Sequence, residues 1–201
     1  MNILEYKRNF TLDTVPDNLD EKDTIIYELI SEAANDDNSS KFREDITLDT
    51  CGYDSSPGKL GEDGIDPANG RKIEVKPQNG HNKNNRKKKL SGGGQFTDFT
   101  HQRIQKYKND DILMVVSGFY GGKLKFIVQF DFTSPLFLEH ITRKVCKALP
   151  DGDESSRYCR SAGFGWNQWK HANHLQRMFL SDDLDNTMIS GPLLKFLQEL
   201  N

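Results

Sequence analysis

Along this chain, apolar positions change period several times, and each change marks an element. From Asp23 to Ala34, Ile25, Ile26, Leu29, Ile30 and Ala33 recur at helical spacing behind Asp23 as an N-cap, which predicts a first helix. Residues 35 to 43 are polar and read as a loop, and DITLDT after them alternates in a way that predicts a short strand. Beyond the turn cluster GYDSSPGKLG, two extended segments, Gly61 to Asp66 and Arg71 to Pro77, flank PANG as a hairpin. Gln78 to Gly94 is rich in Asn, Lys and Gly and reads as a flexible loop.

Helical spacing resumes through Phe96, Phe99, Ile104 and Tyr107 in FTDFTHQRIQKYK. The apolar runs DILMVVSGFY and KLKFIVQFDF then predict two strands, joined at Gly121-Gly122, where glycine supplies the backbone a tight hairpin needs. In SPLFLEHITRKVCKAL, Ser134 fits an N-cap and Pro135 a first helical position. The C-terminal part ends in the helical SGPLLKFLQEL, with Ser190 as a cap. No internal repeat appears. The order predicts an α+β fold with a central mixed sheet flanked by helices in a single domain: a core over 1–150 and a helical C-terminal extension over 151–201.

The chain has 201 residues, 35% hydrophobic and 28% charged, enough apolar side chain to bury a core and unlike a disordered tail. A net charge of -3 argues against a protein that coats nucleic acid indiscriminately. Its distribution is uneven, because the basic residues concentrate in KNNRKKK, from Lys83 to Lys89. Cys51, Cys146 and Cys159 are odd in number and lack CxxC spacing, and MNILEYKRNF has no signal-peptide apolar core, so a reducing, cytoplasmic setting is expected. The longest apolar stretch is broken by two glycines and two lysines and does not suit a membrane span.

Candidate chemistry lies in the hairpin. An even loop makes facing partners add to an odd sum, which puts Asp63 on the face shared by Glu74 and Lys76 and turns Asp66 to the other face. Facing carboxylates repel unless a cation lies between them. Hard oxygens from Asp63, Glu74 and the Val75 carbonyl suit Mg²⁺, and Lys76 would balance phosphate charge or orient water.

Asp63 followed by Glu74-Val75-Lys76 after a tight turn resembles the motif of the PD-(D/E)xK nuclease superfamily, and PGKLGEDGIDPANGRKIEVKPQN resembles the active-site hairpin of type II restriction endonucleases. The resemblance covers about two dozen residues plus the element order. It implies a restriction-endonuclease-like core, Asp63 and Glu74 as metal ligands, Lys76 as catalytic lysine and double-stranded DNA as substrate. Glu62 stands where the motif has proline, and Asp66 offers a second acid. Similar nucleases often direct an acid from the first helix at the metal, a role open here to Glu28 or Glu32, which otherwise form a solvent-facing stripe.

Nucleic-acid contacts are expected from Lys83, Asn84, Asn85, Arg86, Lys87, Lys88 and Lys89, with Asn82 and Gln95 beside them. A second candidate reader is RSAGFGWNQWKHANH, with Arg160, Asn167, Gln168, Lys170, His171 and Asn173 interleaved with Trp166 and Trp169. The tryptophans fit core anchors better than stacking platforms. Cys146, Cys159, His171 and His174 match no usual zinc spacing.

The expected function is therefore a Mg²⁺-dependent type II endonuclease, as a homodimer with helix 134–149 as its dimer face if the site is palindromic. A structure-selective repair or junction-resolving nuclease, a non-catalytic DNA-binding module, and a structural protein with an accidental Glu-x-Lys are the alternatives.

Overall fold

The computed structural model describes residues 40–56, 61–80, 88–150 and 157–200, with isolated helical positions at Ile26, Ile30 and Ala33. The other residues of the helix expected over 23–34, Glu28 and Glu32 among them, lie outside the described residues. Six strands form the central sheet in the order β1 (Asp54–Ser55), β2 (Gly64–Ile65), β3 (Lys72–Asn79), β5 (Leu113–Tyr120), β6 (Lys123–Asp131) and β8 (Gln176–Leu180). Only β3 and β5 run parallel, so the sheet is mixed. A separate antiparallel ribbon pairs β4 (Gly94–Phe96) with β7 (Ala162–Phe164).

Helices cover both faces. On one side α1 (Ser40–Cys51) packs Ile46 and Leu48 against Ile73, Val75, Val115 and Ile127. On the other, α2 (His101–Asn109), α3 (Pro135–Ala148) and α4 (Gly191–Glu199) bury Ile104, Phe137, Ile141, Val145, Leu193 and Leu197 against Met114, Val116, Val128 and Phe130. β5 is therefore covered twice, which is why LMVVSGFY is nearly continuously apolar. The parallel step from β3 to β5 needs a crossover, and α2 supplies it.

The expected hairpin, the strand pair and the Pro135 helix are all present. Gly121 and Gly122 take φ of 61° and 78° in the β5–β6 turn, as the tight connection requires. Ser134 caps no helical N–H with its side chain; its hydroxyl instead donates to Asp131 O at 2.7 Å and accepts from Asn173 N–H at 2.9 Å.

Three local expectations are corrected. DITLDT is the body of α1, not a strand, and the loop assigned to 35–43 overlaps that helix from Ser40 onward. The threonine hydroxyls are satisfied inside the helix, Thr47 donating to Arg43 O at 2.7 Å and Thr50 to Ile46 O at 2.8 Å, so the apparent alternation has no strand behind it. Phe96 and Phe99 precede the helix they were expected to open. They stack at 4.5 Å from extended chain, and α2 begins after Thr100, whose side chain accepts from Arg103 N–H. The segment after 150 is not a helical extension: β7 completes the ribbon and β8 joins the central sheet, while Leu193 and Leu197 enter the main core. Among the described residues, no helix is long and apolar enough to cross a membrane.

Candidate active site

The hairpin registers Gly64 with Ile73 and Ile65 with Lys72, the odd sum that an even loop imposes. Pairing stops there. The Asp63 N–H donates to Ile73 O at 2.9 Å, so its backbone stays level with Ile73 instead of stepping on to face Glu74. Its carboxylate makes the step: Oδ2 accepts from the Val75 N–H at 2.7 Å, capping the β3 edge where β2 has run out.

Glu74 and Lys76 alternate with Ile73 and Val75, which face α1, and so point toward α2 and β4. Glu74 is only 5% exposed. Lys76 Nζ forms a close ion pair with Glu74 Oε1 and also donates to Val75 O at 3.2 Å. Tyr107 on α2 donates its hydroxyl to Glu74 Oε2 at 2.8 Å. The lysine lies against β4, with Nζ 5.2 Å from the Phe96 ring centroid and Gly94 so close that a Cβ there would come within 2.8 Å of Lys76 Cβ.

The electrostatics fit this partial burial. Burial, reinforced by the Glu74 charge, pushes the Asp63 carboxyl up to about 7 against the opposing pull of Lys76, with Glu44 adding to the rise. Burial also raises Glu44 on α1, where Lys76 and Lys41 oppose the rise and Glu74 adds to it. Burial alone would lower the Lys76 ammonium, yet Glu74 and Asp63 hold it above the ordinary lysine value, so it stays charged. Three carboxyl groups thus act on one another across a poorly hydrated space with one ammonium among them.

Asp63, Glu74 and Lys76 are brought together, and an acid that sequence reasoning passed over, Glu44 on α1, acts on them electrostatically; the expected acids Glu28 and Glu32 lie outside the described residues. Reading 35–43 as loop and DITLDT, 45–50, as strand hid Glu44; the four-residue spacing of Arg43 with Thr47 and Phe42 with Ile46 was the available signal. Tyr107 had been read only as an apolar position. Asp66 does not join the group, since its Oδ1 accepts from Ala68 N–H and its Oδ2 from Asn69 Nδ2, both at 2.9 Å, holding the turn.

The donor chemistry, carboxylates from Asp63, Glu74 and Glu44 with the Val75 carbonyl, is that of a hard divalent cation. Among the described residues no cluster of three or more His, Cys, Asp or Glu stands at metal-holding geometry, and the Glu74 oxygens are taken by Lys76 and Tyr107. The zinc candidates do not gather either: Cys159 is buried with its thiol toward Lys144 O, and His174 bonds Asp131 at 2.6 Å.

Of the nucleic-acid candidates, Asn82 and Lys83 to Lys87 lie outside the described residues, while Lys88 and Lys89 are exposed. Gln95 is exposed on β4, and Arg160 is exposed just before β7. Asn167, His171 and Asn173 are exposed, whereas the Gln168 side chain accepts from Gly165 N–H at 2.8 Å and Lys170 lies over the Trp166 ring at 5.0 Å. Trp169 is buried with its indole N–H on Gly92 O at 2.7 Å, and Trp166 packs against the core, so both are anchors. No protein-family model matches the chain, and no curated protein matches its sequence.

Proposed function

We propose that this protein is a Mg²⁺-dependent endonuclease with a restriction-endonuclease-like core, hydrolysing phosphodiester bonds of double-stranded DNA at a short specific sequence as a homodimer. The observation that carries the reading is the meeting of Asp63, Glu74 and Lys76 from a hairpin and its following strand, with Asp63 raised to about 7 by burial and by Glu74. A carboxyl in that state marks a place where added positive charge is favoured.

Asp63, Glu74 and the Val75 carbonyl would hold the ion, with Glu44 in electrostatic reach. When bound, Mg²⁺ supplies charge neutralisation at phosphate oxygens and acidifies coordinated water. Lys76, held charged by its acidic neighbours, acts as a fixed positive donor that stabilises charge on the phosphate and orients water; it does not take up a proton. Tyr107 keeps Glu74 in place through Oε2, leaving Oε1 to exchange partners with Lys76.

The test is to incubate the protein with a sequenced supercoiled plasmid in Mg²⁺ and in EDTA, and to map the ends. Discrete fragments in Mg²⁺ alone are expected. Cutting confined to branched DNA would transfer the reading to a junction-resolving nuclease. Binding without nicking in either condition would make the protein a DNA-binding module.

A further inference from the structure

Lys76 is roofed by the β4–β7 ribbon, whose inner residues Phe96, Ala162 and Phe164 are buried in the aromatic cluster of α2 and α3. Alternation sends the register pair Gln95 and Gly163 to the outer face. Gln95 is exposed, and the hydroxyl of Ser161, the residue just before β7, donates to its Oε1 at 3.2 Å, which steadies the amide and leaves a second lone pair and both N–H groups to act outward.

Gly163 is unusual. It does not take a left-handed φ, and a Cβ built there would meet nothing closer than Gly94 O at 3.9 Å, so neither conformation nor packing calls for glycine. Its carbonyl is bonded by His140 Nε2 on α3 at 2.9 Å, which holds this bare strand in position. A glycine in a strand that the fold itself does not need is expected where something outside must come close. Beside it stands one oriented carboxamide, on a ribbon anchored directly over the proposed catalytic lysine.

Resting on the nuclease reading, we propose that this ribbon enters the DNA major groove, where Gln95 reads an adenine through its N6 and N7 edge while Gly163 provides the clearance for the groove floor. A two-stranded ribbon fits a major groove, and one glutamine amide matches the donor and acceptor pair of adenine. Ser161 is a positioning residue.

The experiment is selection by the full-length protein from a duplex library with a randomised core. Cleaved ends are collected in Mg²⁺, and affinity for the selected duplex is measured in Ca²⁺ against a scrambled duplex. Wild type is expected to select a consensus containing adenine. Gln95→Ala should lose discrimination at that adenine alone, by about tenfold or more. Gly163→Ala should weaken the selected duplex by a similar factor, with the scrambled duplex and the melting temperature unchanged. Cleavage without any consensus, or the same consensus and affinities within twofold in both variants, overturns the ribbon assignment and leaves the nuclease reading standing. No cleavage and no DNA binding by wild type overturns both.

Discussion

The phenol of Tyr107 donates to Glu74 Oε2 at 2.8 Å, joining the crossover helix to the strand that carries the acidic and basic pair. Glu74 is buried, so that oxygen has little water to fall back on. Tyr107→Phe is expected to lower unfolding free energy by about 1–3 kcal/mol, the cost of stranding a buried polar partner. Chemical denaturation at pH 7 measures this. Cleavage by the variant should fall without a change in DNA affinity, because Glu74 loses its support while the DNA-facing ribbon is untouched.

The raised Asp63 carboxyl makes stability depend on pH in a definite direction. Its value of about 7 in the folded chain lies above the unfolded 3.8, so the folded state holds the extra proton between them. That contribution is complete below the unfolded value and is lost as pH rises through the folded one. Asp63→Asn keeps an acceptor for the Val75 N–H and removes the charge beside Glu74. In EDTA it should melt above wild type at pH 8, with the gap closing toward pH 4. Added Mg²⁺ should raise the melting temperature of wild type and not of the variant.

These effects show which parts of the molecule could be read ahead of the structure. Loop parity sets the Gly64–Ile73 register from the residue count alone, but Asp63 reaches the Glu74 neighbourhood by its carboxylate bond to the Val75 N–H, past the end of that register, which no count gives. Gly121-Gly122 and Pro135 punctuate the chain through backbone sterics that are equally local. Helix Ser40–Cys51 was not legible, because two threonines satisfied within their own helix imitate a strand pattern. Tyr107 meeting Glu74 and Gln95 pairing with Gly163 depend on how α2 crosses over and where β7 returns, which no local period encodes.

Asp66 separates a turn role from a site role. Its two oxygens bond Ala68 N–H and Asn69 Nδ2, both within the hairpin loop. Asp66→Ala should cost about 0.5–2 kcal/mol, comparable to losing a side-chain cap. Cleavage at a temperature well below the melt should stay within about threefold of wild type, since fewer than 1 kcal/mol of barrier change is expected from a residue outside the site. Complete loss of cleavage in a folded Asp66→Ala protein would move the first acid of the site from Asp63 to Asp66.

Lys76 is tied into the fold as well as into the proposed chemistry. Its side chain is 17% exposed and paired with a Glu74 side chain that is 7% exposed. Truncation leaves a buried carboxylate without its cation, and breaking such a pair costs about 3–5 kcal/mol. Lys76→Ala should therefore lose both cleavage and stability, and lost activity alone would not identify a chemical role. Combining Lys76→Met with Glu74→Gln removes both charges, keeps the lysine stem's volume against Phe96 and lets the Tyr107 hydroxyl still find an amide oxygen. The double variant should regain most of the stability in thermal melts while cutting no plasmid. Stability restored with cleavage still absent assigns Lys76 and Glu74 to the reaction; cleavage restored together with stability would reduce the pair to a buried strut.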